Sequence, residues 1–145
     1  MMSAADGVKN HLRALLSHVD KYDLAPLRAV HVTNGYEIGE DRTVIMARVR
    51  DAGLSPVAWA LVNWAATLEA TSAVLWRPAD GGVFLGVKGK LPCGAQVKVY
   101  GFVMFGVWTL SGVEPGHFED IPISRLLEYA QTRTVGEAND DKGGK

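Results

Sequence analysis

Three kinds of side chain that could do chemistry occur together between Gly86 and Gly106, where the sequence reads GVKGKLPCGAQVKVYGFVMFG. The lysines could bind phosphate, the only cysteine could act as a nucleophile, and the aromatic residues could stack on a planar ligand. A GxxxxGK phosphate loop followed by Ser or Thr is excluded, because Phe84 replaces its first glycine and Leu91 its hydroxyl residue. Phe84 also excludes a GxGxxG dinucleotide motif. The glycines and proline predict a β-hairpin instead.

The cysteine, Cys93, follows a proline in the predicted turn of this hairpin, so we expect it to be exposed. A reactive thiolate needs a basic neighbour or a helix N-terminus, and no motif brings one of the four histidines to this turn. We therefore interpret Cys93 as an ordinary turn residue.

The histidines and acidic residues show no spacing typical of a catalytic or metal site. His11, His18, His31 and His117 form no HExxH or HxH motif. The acidic loop at 37–41 departs from the calcium-binding DxDxDG pattern. No catalytic, cofactor-binding or metal-binding residue is therefore assigned. If the protein is a small enzyme, we expect its site near His31, in a strand, or His117, in a loop.

Basic and aromatic residues alternate with apolar residues along two predicted strands, so they share one face of each strand. The candidate ligand-binding residues are Lys88, Lys90, Lys98, Tyr100 and Phe102. If the two faces coincide, this surface could bind a nucleotide or a single-stranded nucleic acid through phosphate contacts and base stacking. The alternative is that the lysines only solvate an exposed sheet and hinder edge-to-edge aggregation.

The elements that position these residues follow the order α-β-β-α-β-β-β-α. The first helix has its apolar stripe at Val8, Leu12, Leu15, Leu16 and Val19. The runs AVHVT, RTVIMARV, TSAVLWR, VFLGVKGK and AQVKVYGFVMFGVWTL predict strands, and FEDIPISRLLEYAQTR predicts the last helix. This pattern predicts an α+β fold with a mostly antiparallel sheet of about five strands and helices packed on one face.

The middle helix, within DAGLSPVAWALVNWAATLEA, is apolar on almost every side. Ser55 is expected to cap its N-terminus, and Pro56 to occupy the first helical position. Such a helix needs a wide partner, which is either the sheet alone or the sheet together with a second subunit. We therefore expect self-association. The interface candidates are Trp59, Trp64, Phe102 and Trp108.

Length and composition favour one globular domain. The 145 residues are 48% hydrophobic and 21% charged, with a net charge of −1. These values exclude a disordered chain and a protein drawn to DNA or anionic lipid by its overall charge. We expect a domain over 1–135 and a disordered polar tail over 136–145. Because no secretory signal, membrane span or disulfide framework is evident, we expect a cytoplasmic protein that needs neither a membrane nor a cofactor.

Three classes of function stay open on these grounds. The first is a non-enzymatic binding or protein-interaction module that forms homo-oligomers through an apolar helix or strand surface. The second is a binder of nucleotides or single-stranded nucleic acid that uses the basic and aromatic sheet face. The third is a small enzyme with its site near His31 or His117. The near-neutral charge and the lack of an RNP-like aromatic motif place the second class after the first.

Overall fold

The computed structural model describes residues 4–24, 26–37, 40–78, 82–103 and 116–131. Over these ranges the chain forms three helices and one six-stranded sheet, which confirms the predicted α+β class. The helices are α1 (Ala4–Tyr22), α2 (Leu54–Ala65) and α3 (Ile123–Gln131). The strands are β1 (Leu27–Glu37), β2 (Glu40–Val49), β3 (Glu69–Arg77), β4 (Val83–Lys90), β5 (Gln96–Val103) and β6 (His117–Ile121). The predicted tail at 136–145 lies outside the described residues.

The sheet has the strand order β1-β2-β5-β4-β3-β6. β2 and β5 run parallel, whereas every other neighbouring pair of these strands runs antiparallel. The sheet is therefore mixed, with six strands where the sequence predicts about five. The parallel pairing needs a long crossover connection, and α2 with the β3–β4 hairpin supplies it. The antiparallel pairing of β4 with β5 confirms the predicted hairpin.

The sixth strand occupies a stretch that the sequence interpretation divides between a loop and the last helix. His117, expected in a loop, begins β6, and Phe118, expected in the helix, belongs to the same strand. Pro122 disfavours helical geometry at Ile121, and the helix begins only at Ile123. The preceding residues extend because β3 offers them a free edge to pair with.

All three helices lie on one side of the sheet, which we call the helix face. Side chains of alternate strand residues are buried on this face, namely Ile45, Ala47, Val49, Ala73, Leu75, Val83, Leu85, Val87, Val97, Val99 and Val103. The opposite side, which we call the open face, carries none of the helices that the structure describes. The open face therefore presents the other half of the strand residues.

α2 approaches the centre of the sheet closely because Gly101 of β5 has no side chain. A Cβ atom at Gly101 would lie 2.7 Å from Cγ2 of Val49 and 2.9 Å from Cγ1 of Val57. Contacts this short would push the helix away from β2 and β5. Gly101 therefore fixes the distance between α2 and the sheet.

The N-terminus of α2 differs from the predicted cap. Gly53 occupies the N-cap position and forms no side-chain cap. The Ser55 hydroxyl instead donates a 2.6 Å hydrogen bond to the carbonyl of Ala130 in α3. α3 thus covers part of α2, and much of the apolar surface of α2 is buried between α3 and the sheet, although Trp59 stays exposed.

The buried side of α1 differs from the predicted stripe. Leu15 is buried, but Leu16 is 63% exposed, and the buried polar residue of this side is His18. The His18 ring stacks 5.8 Å from the Trp64 ring of α2. The Thr67 hydroxyl donates its hydrogen to the Trp64 carbonyl at 2.8 Å. Because that hydrogen is used, the hydroxyl oxygen of Thr67 accepts the 2.7 Å hydrogen bond from His18 Nε2. The His18 side chain therefore joins α1 to the end of α2.

We expect the protein to lose stability as the pH falls below 6.5. Burial, and secondarily the charge of Lys21, lowers the pKa of His18 from its ordinary value of 6.5. The unfolded chain thus binds a proton at a higher pH than the folded chain, so acid favours unfolding until the lowered pKa is reached. Urea unfolding midpoints between about pH 7 and about pH 5 measure this loss.

The comparison variants are His18→Gln, which keeps a side-chain donor, and His31→Gln at an exposed strand position. His18→Gln should flatten the pH dependence, and His31→Gln should keep the slope of the wild-type protein. Equal slopes in the wild-type protein and His18→Gln would contradict the proposed role of His18.

Candidate ligand-binding site

Aromatic side chains form a row across four adjacent strands of the open face. Phe118 of β6 is the cross-strand partner of Trp76 in β3, and Trp76 is also the partner of Phe84 in β4. Phe84 is in turn the partner of Phe102 in β5. Direct cross-strand partners project to the same side of a sheet, so these four residues form one line, which we call the aromatic row.

The rings of the aromatic row are in contact at its centre. The Trp76 and Phe84 rings stack at 5.2 Å, and Phe102 meets Phe84 edge-on at the same centroid distance. Trp76 is nevertheless 45% exposed and Phe118 is 69% exposed. Aromatic surface that is ordered by its neighbours yet open to solvent is typical of a stacking platform.

A second row, four positions further along β4 and β5, contains two lysines. Lys88 and Lys98 are direct cross-strand partners about 13 Å along the strands from the aromatic row. Burial lowers the pKa of the Lys98 ammonium, and the positive charge of Lys88 lowers it further. Within the described part of the chain, no carboxylate forms an ion pair with either lysine. We call this pair the lysine row.

Between the two rows lies a line of residues that includes Gly86. Its cross-strand partners are Val74 in β3 and Tyr100 in β5. Gly86 has no side chain and lines a cavity, so the surface is depressed here between Val74 and Tyr100. Gly86 therefore forms a floor between the aromatic row and the lysine row.

Arg48 of β2 forms the wall of this depression next to Tyr100, its parallel cross-strand partner. Its guanidinium carbon lies 5.5 Å from the Phe84 ring centroid and 6.0 Å from that of Tyr100. Asp51 accepts a 2.9 Å hydrogen bond from Arg48 Nη2 and a 2.6 Å bond from Arg28 Nη1. One carboxylate thus pairs with two arginines, and the cluster keeps a net positive charge.

Together these residues enclose a cavity of about 340 Å³. His31 of β1 and Trp76 of β3 both line this cavity, although their strands are four spacings apart, or about 19 Å in a flat sheet. The volume lies within the range of small-ligand sites. The lining residues are His31, Met46, Arg48, Val74, Trp76, Phe84, Leu85, Gly86, Lys98 and Tyr100.

The structure brings most of the predicted ligand-binding residues to this side of the sheet. Lys98 and Tyr100 line the cavity, and Phe102 belongs to the aromatic row. Lys88 faces Lys98, whereas Lys90, at the end of β4, does not line the cavity. The structure thus confirms the predicted alternation of buried and more exposed residues along β5.

The two histidines proposed for an enzyme site are far apart. His31 lies on β1, at one edge of the sheet, and lines the cavity. His117 lies on β6, at the opposite edge of the sheet. It pairs with Arg77, and both residues belong to the set of alternate positions that faces the helices. Five strand spacings, about 24 Å in a flat sheet, separate these edges. The two histidines therefore do not form one site.

The interface candidates are distributed over both sides of the sheet. Trp59 is 43% exposed on α2, whereas Trp64 is fully buried and presents no surface to a partner. Phe102 lies on the open face, and Trp108 lies outside the described residues. Among the described candidates, Trp59 and Phe102 thus present surface to a partner, whereas Trp64 does not.

Sequence reasoning missed three contributors to this face, namely Trp76, Gly86 and Phe118. A signal existed for the first two, because a hairpin turn centred on position 80 pairs residue 76 with 84 and residue 74 with 86. Phe118 carried no comparable signal, since it depends on a strand that the local sequence does not predict.

Other possible chemistry is limited over the described residues. Cys93 is exposed in the turn between β4 and β5. No group of three or more His, Cys, Asp or Glu residues is arranged there to hold a metal ion. None of the described helices is long and apolar enough to cross a membrane.

Comparison of the chain with known protein families, curated proteins and solved structures gives no match. Function therefore has to follow from the geometry and charge of the open face.

We expect the substitution Lys98→Met to stabilise the protein. It removes a partly buried charge that faces another positive charge, and like charges in direct cross-strand pairs are unfavourable by up to about 1 kcal/mol. The urea unfolding midpoint at neutral pH should rise, and it should rise less at high salt.

The stability gained by Lys98→Met should depend on pH in a defined direction. Because the folded-state pKa of Lys98 is lowered, the folded wild-type protein binds fewer protons than the unfolded chain near pH 10, and the advantage of the variant should shrink there. Lys9→Met on the exposed side of α1 is the matched control, with no expected change. A destabilised Lys98→Met would show that the lysine contributes to folding.

Proposed function

We propose that this protein binds nucleotides in the cavity of the open face. A nucleotide combines a planar base with an anionic phosphate, and the cavity offers an aromatic wall and a lysine. The observation that carries the proposal is that the stacked Trp76 and Phe84 rings line one cavity of about 340 Å³ together with Lys98, which has no ion-pair partner among the described carboxylates.

Stacking on Trp76, the exposed member of the aromatic row that lines the cavity, is the first component of this recognition. Trp76 keeps 45% of its surface exposed, although it is stacked against Phe84 on one side. A base placed on the free surface would bury apolar area without having to order the rings. Stacking of one base on an aromatic side chain contributes about 1–3 kcal/mol, or roughly 5- to 150-fold in affinity.

Phosphate binding at the lysine row is the second component. The repulsion between Lys88 and Lys98 makes this end of the cavity attractive to an anion, which would relieve it. Asp51 pairs with both Arg48 and Arg28, so this cluster keeps a net positive charge beside the cavity and adds to the attraction of Lys98 for an anion. Lysines that hinder edge-to-edge aggregation lie on edge strands. Because β5 is an inner strand of the sheet, this role does not explain Lys98.

The test is a titration with adenosine monophosphate, adenosine and inorganic phosphate, followed by tryptophan fluorescence. We expect the monophosphate to bind most tightly, because only it engages both ends of the cavity. Trp76→Ala should weaken its binding at least about fivefold, by loss of stacking. Lys98→Met should weaken binding and make it less dependent on salt.

Trp59→Ala is the matched control, because it removes an exposed tryptophan from α2 on the helix face. Its affinity for the monophosphate should equal that of the wild-type protein. Failure of the monophosphate to bind, or an unchanged affinity in Trp76→Ala, would refute the proposal.

Self-association through α2 is a second candidate, and the exposure of Trp59 favours it. An exposed tryptophan on a helix is a frequent anchor of protein interfaces. Sedimentation at low and high salt should then show a dimer or larger species that salt does not dissociate, and Trp59→Lys should make it monomeric. A monomeric wild-type protein would exclude this candidate.

A further inference from the structure

We propose that the nucleotide in the cavity is one unit of a single-stranded nucleic acid, whose neighbouring bases stack along the aromatic row towards β6. This inference rests on the proposed function and extends it from a single nucleotide to a chain. Its basis is the part of the aromatic row that lies beyond the cavity.

The aromatic row continues past the cavity to Phe118. This residue is 69% exposed, does not line the cavity and is the direct cross-strand partner of Trp76. A ligand confined to the cavity would have no use for it. Phe118 therefore extends the stacking surface by one position towards the edge of the sheet.

The length of the row suits several bases. Phe102 and Phe118 are three strand spacings apart, or about 14 Å. Sheet surfaces with aromatic side chains on adjacent strands commonly stack two or three bases of one strand. A single mononucleotide would leave part of the row unused.

The charges of the open face are consistent with a chain that lies parallel to the aromatic row. The lysine row is on β4 and β5, whereas β6 carries Asp120 on the open face, opposite Val74. Phosphates would therefore be held at Lys88 and Lys98, and the unit next to Phe118 would be held by stacking alone. Because Phe118 would contribute stacking and Lys98 would contribute charge, separate substitutions can test the two roles.

The experiment compares adenosine monophosphate with the adenosine dinucleotide and tetranucleotide, each as RNA and as DNA. Inorganic tetrapolyphosphate controls for charge without bases. We expect the tetranucleotide to bind at least tenfold more tightly than the monophosphate, since each added stack contributes about 1–3 kcal/mol. Tetrapolyphosphate should bind more weakly than the tetranucleotide.

Two variants test the assignment of roles. Phe118→Ala should remove most of the gain with length, while it leaves the affinity for the monophosphate and the salt dependence unchanged. Lys98→Met should lower the salt dependence of tetranucleotide binding by about 0.7 in the slope of log affinity against log salt. Leu127→Ala, at an exposed apolar residue of α3, is the control for Phe118 and should change neither affinity.

The outcomes distinguish the two levels of the proposal. If the monophosphate binds but length adds nothing, or if Phe118→Ala weakens monophosphate and tetranucleotide equally, the single-strand inference is wrong and the nucleotide site stands. If neither ligand binds, both are wrong. A tetrapolyphosphate that equals the tetranucleotide would overturn the stacking argument. A gain with length in either the RNA or the DNA series supports the inference and identifies the sugar that is preferred.

Discussion

The packing of α2 against Gly101 determines which side of every central strand is available to a ligand. Strand residues alternate between the two faces, so the burial of Val97, Val99 and Val103 against the helices turns Lys98 and Tyr100 outwards. A slip of one residue in β5 would exchange these sets. Gly101 opposes such a slip, because no other residue of this strand could lie so close to α2. The chemistry of the open face is thus a consequence of how the opposite face is packed.

The parallel pairing of β2 with β5 then converts an open sheet into a cavity. Without it the β1–β2 hairpin would not adjoin the aromatic strands, and Arg48 would not lie beside Tyr100. With it, one cavity is lined by both His31 and Trp76, from strands four positions apart. The cavity depends on a long-range pairing, whereas the pairings of Trp76 with Phe84 and of Lys88 with Lys98 depend on local hairpins.

This division explains what could be predicted from the sequence. The alternation in β5 and the turn residues around Cys93 are local signals, and they predicted the hairpin and the outward position of Lys98. β6 was not predictable, because its extended shape comes from pairing with β3 and not from its own residues. The burial of His18 likewise depends on Trp64 and Thr67, which lie far away in the sequence. The cavity combines residues from five strands, and only the strand order brings them together.

The contacts of Asp51 have a consequence for how recognition on this face would operate. Its carboxylate accepts hydrogen bonds from Arg48, whose guanidinium lies over Phe84 and Tyr100, and from Arg28. These bonds restrict the rotation of Arg48 in the folded protein, before any ligand arrives. Association would therefore cost little further conformational entropy at this side chain. This wall of the cavity is a rigid template to which the ligand has to conform, not a flexible clamp that closes around it.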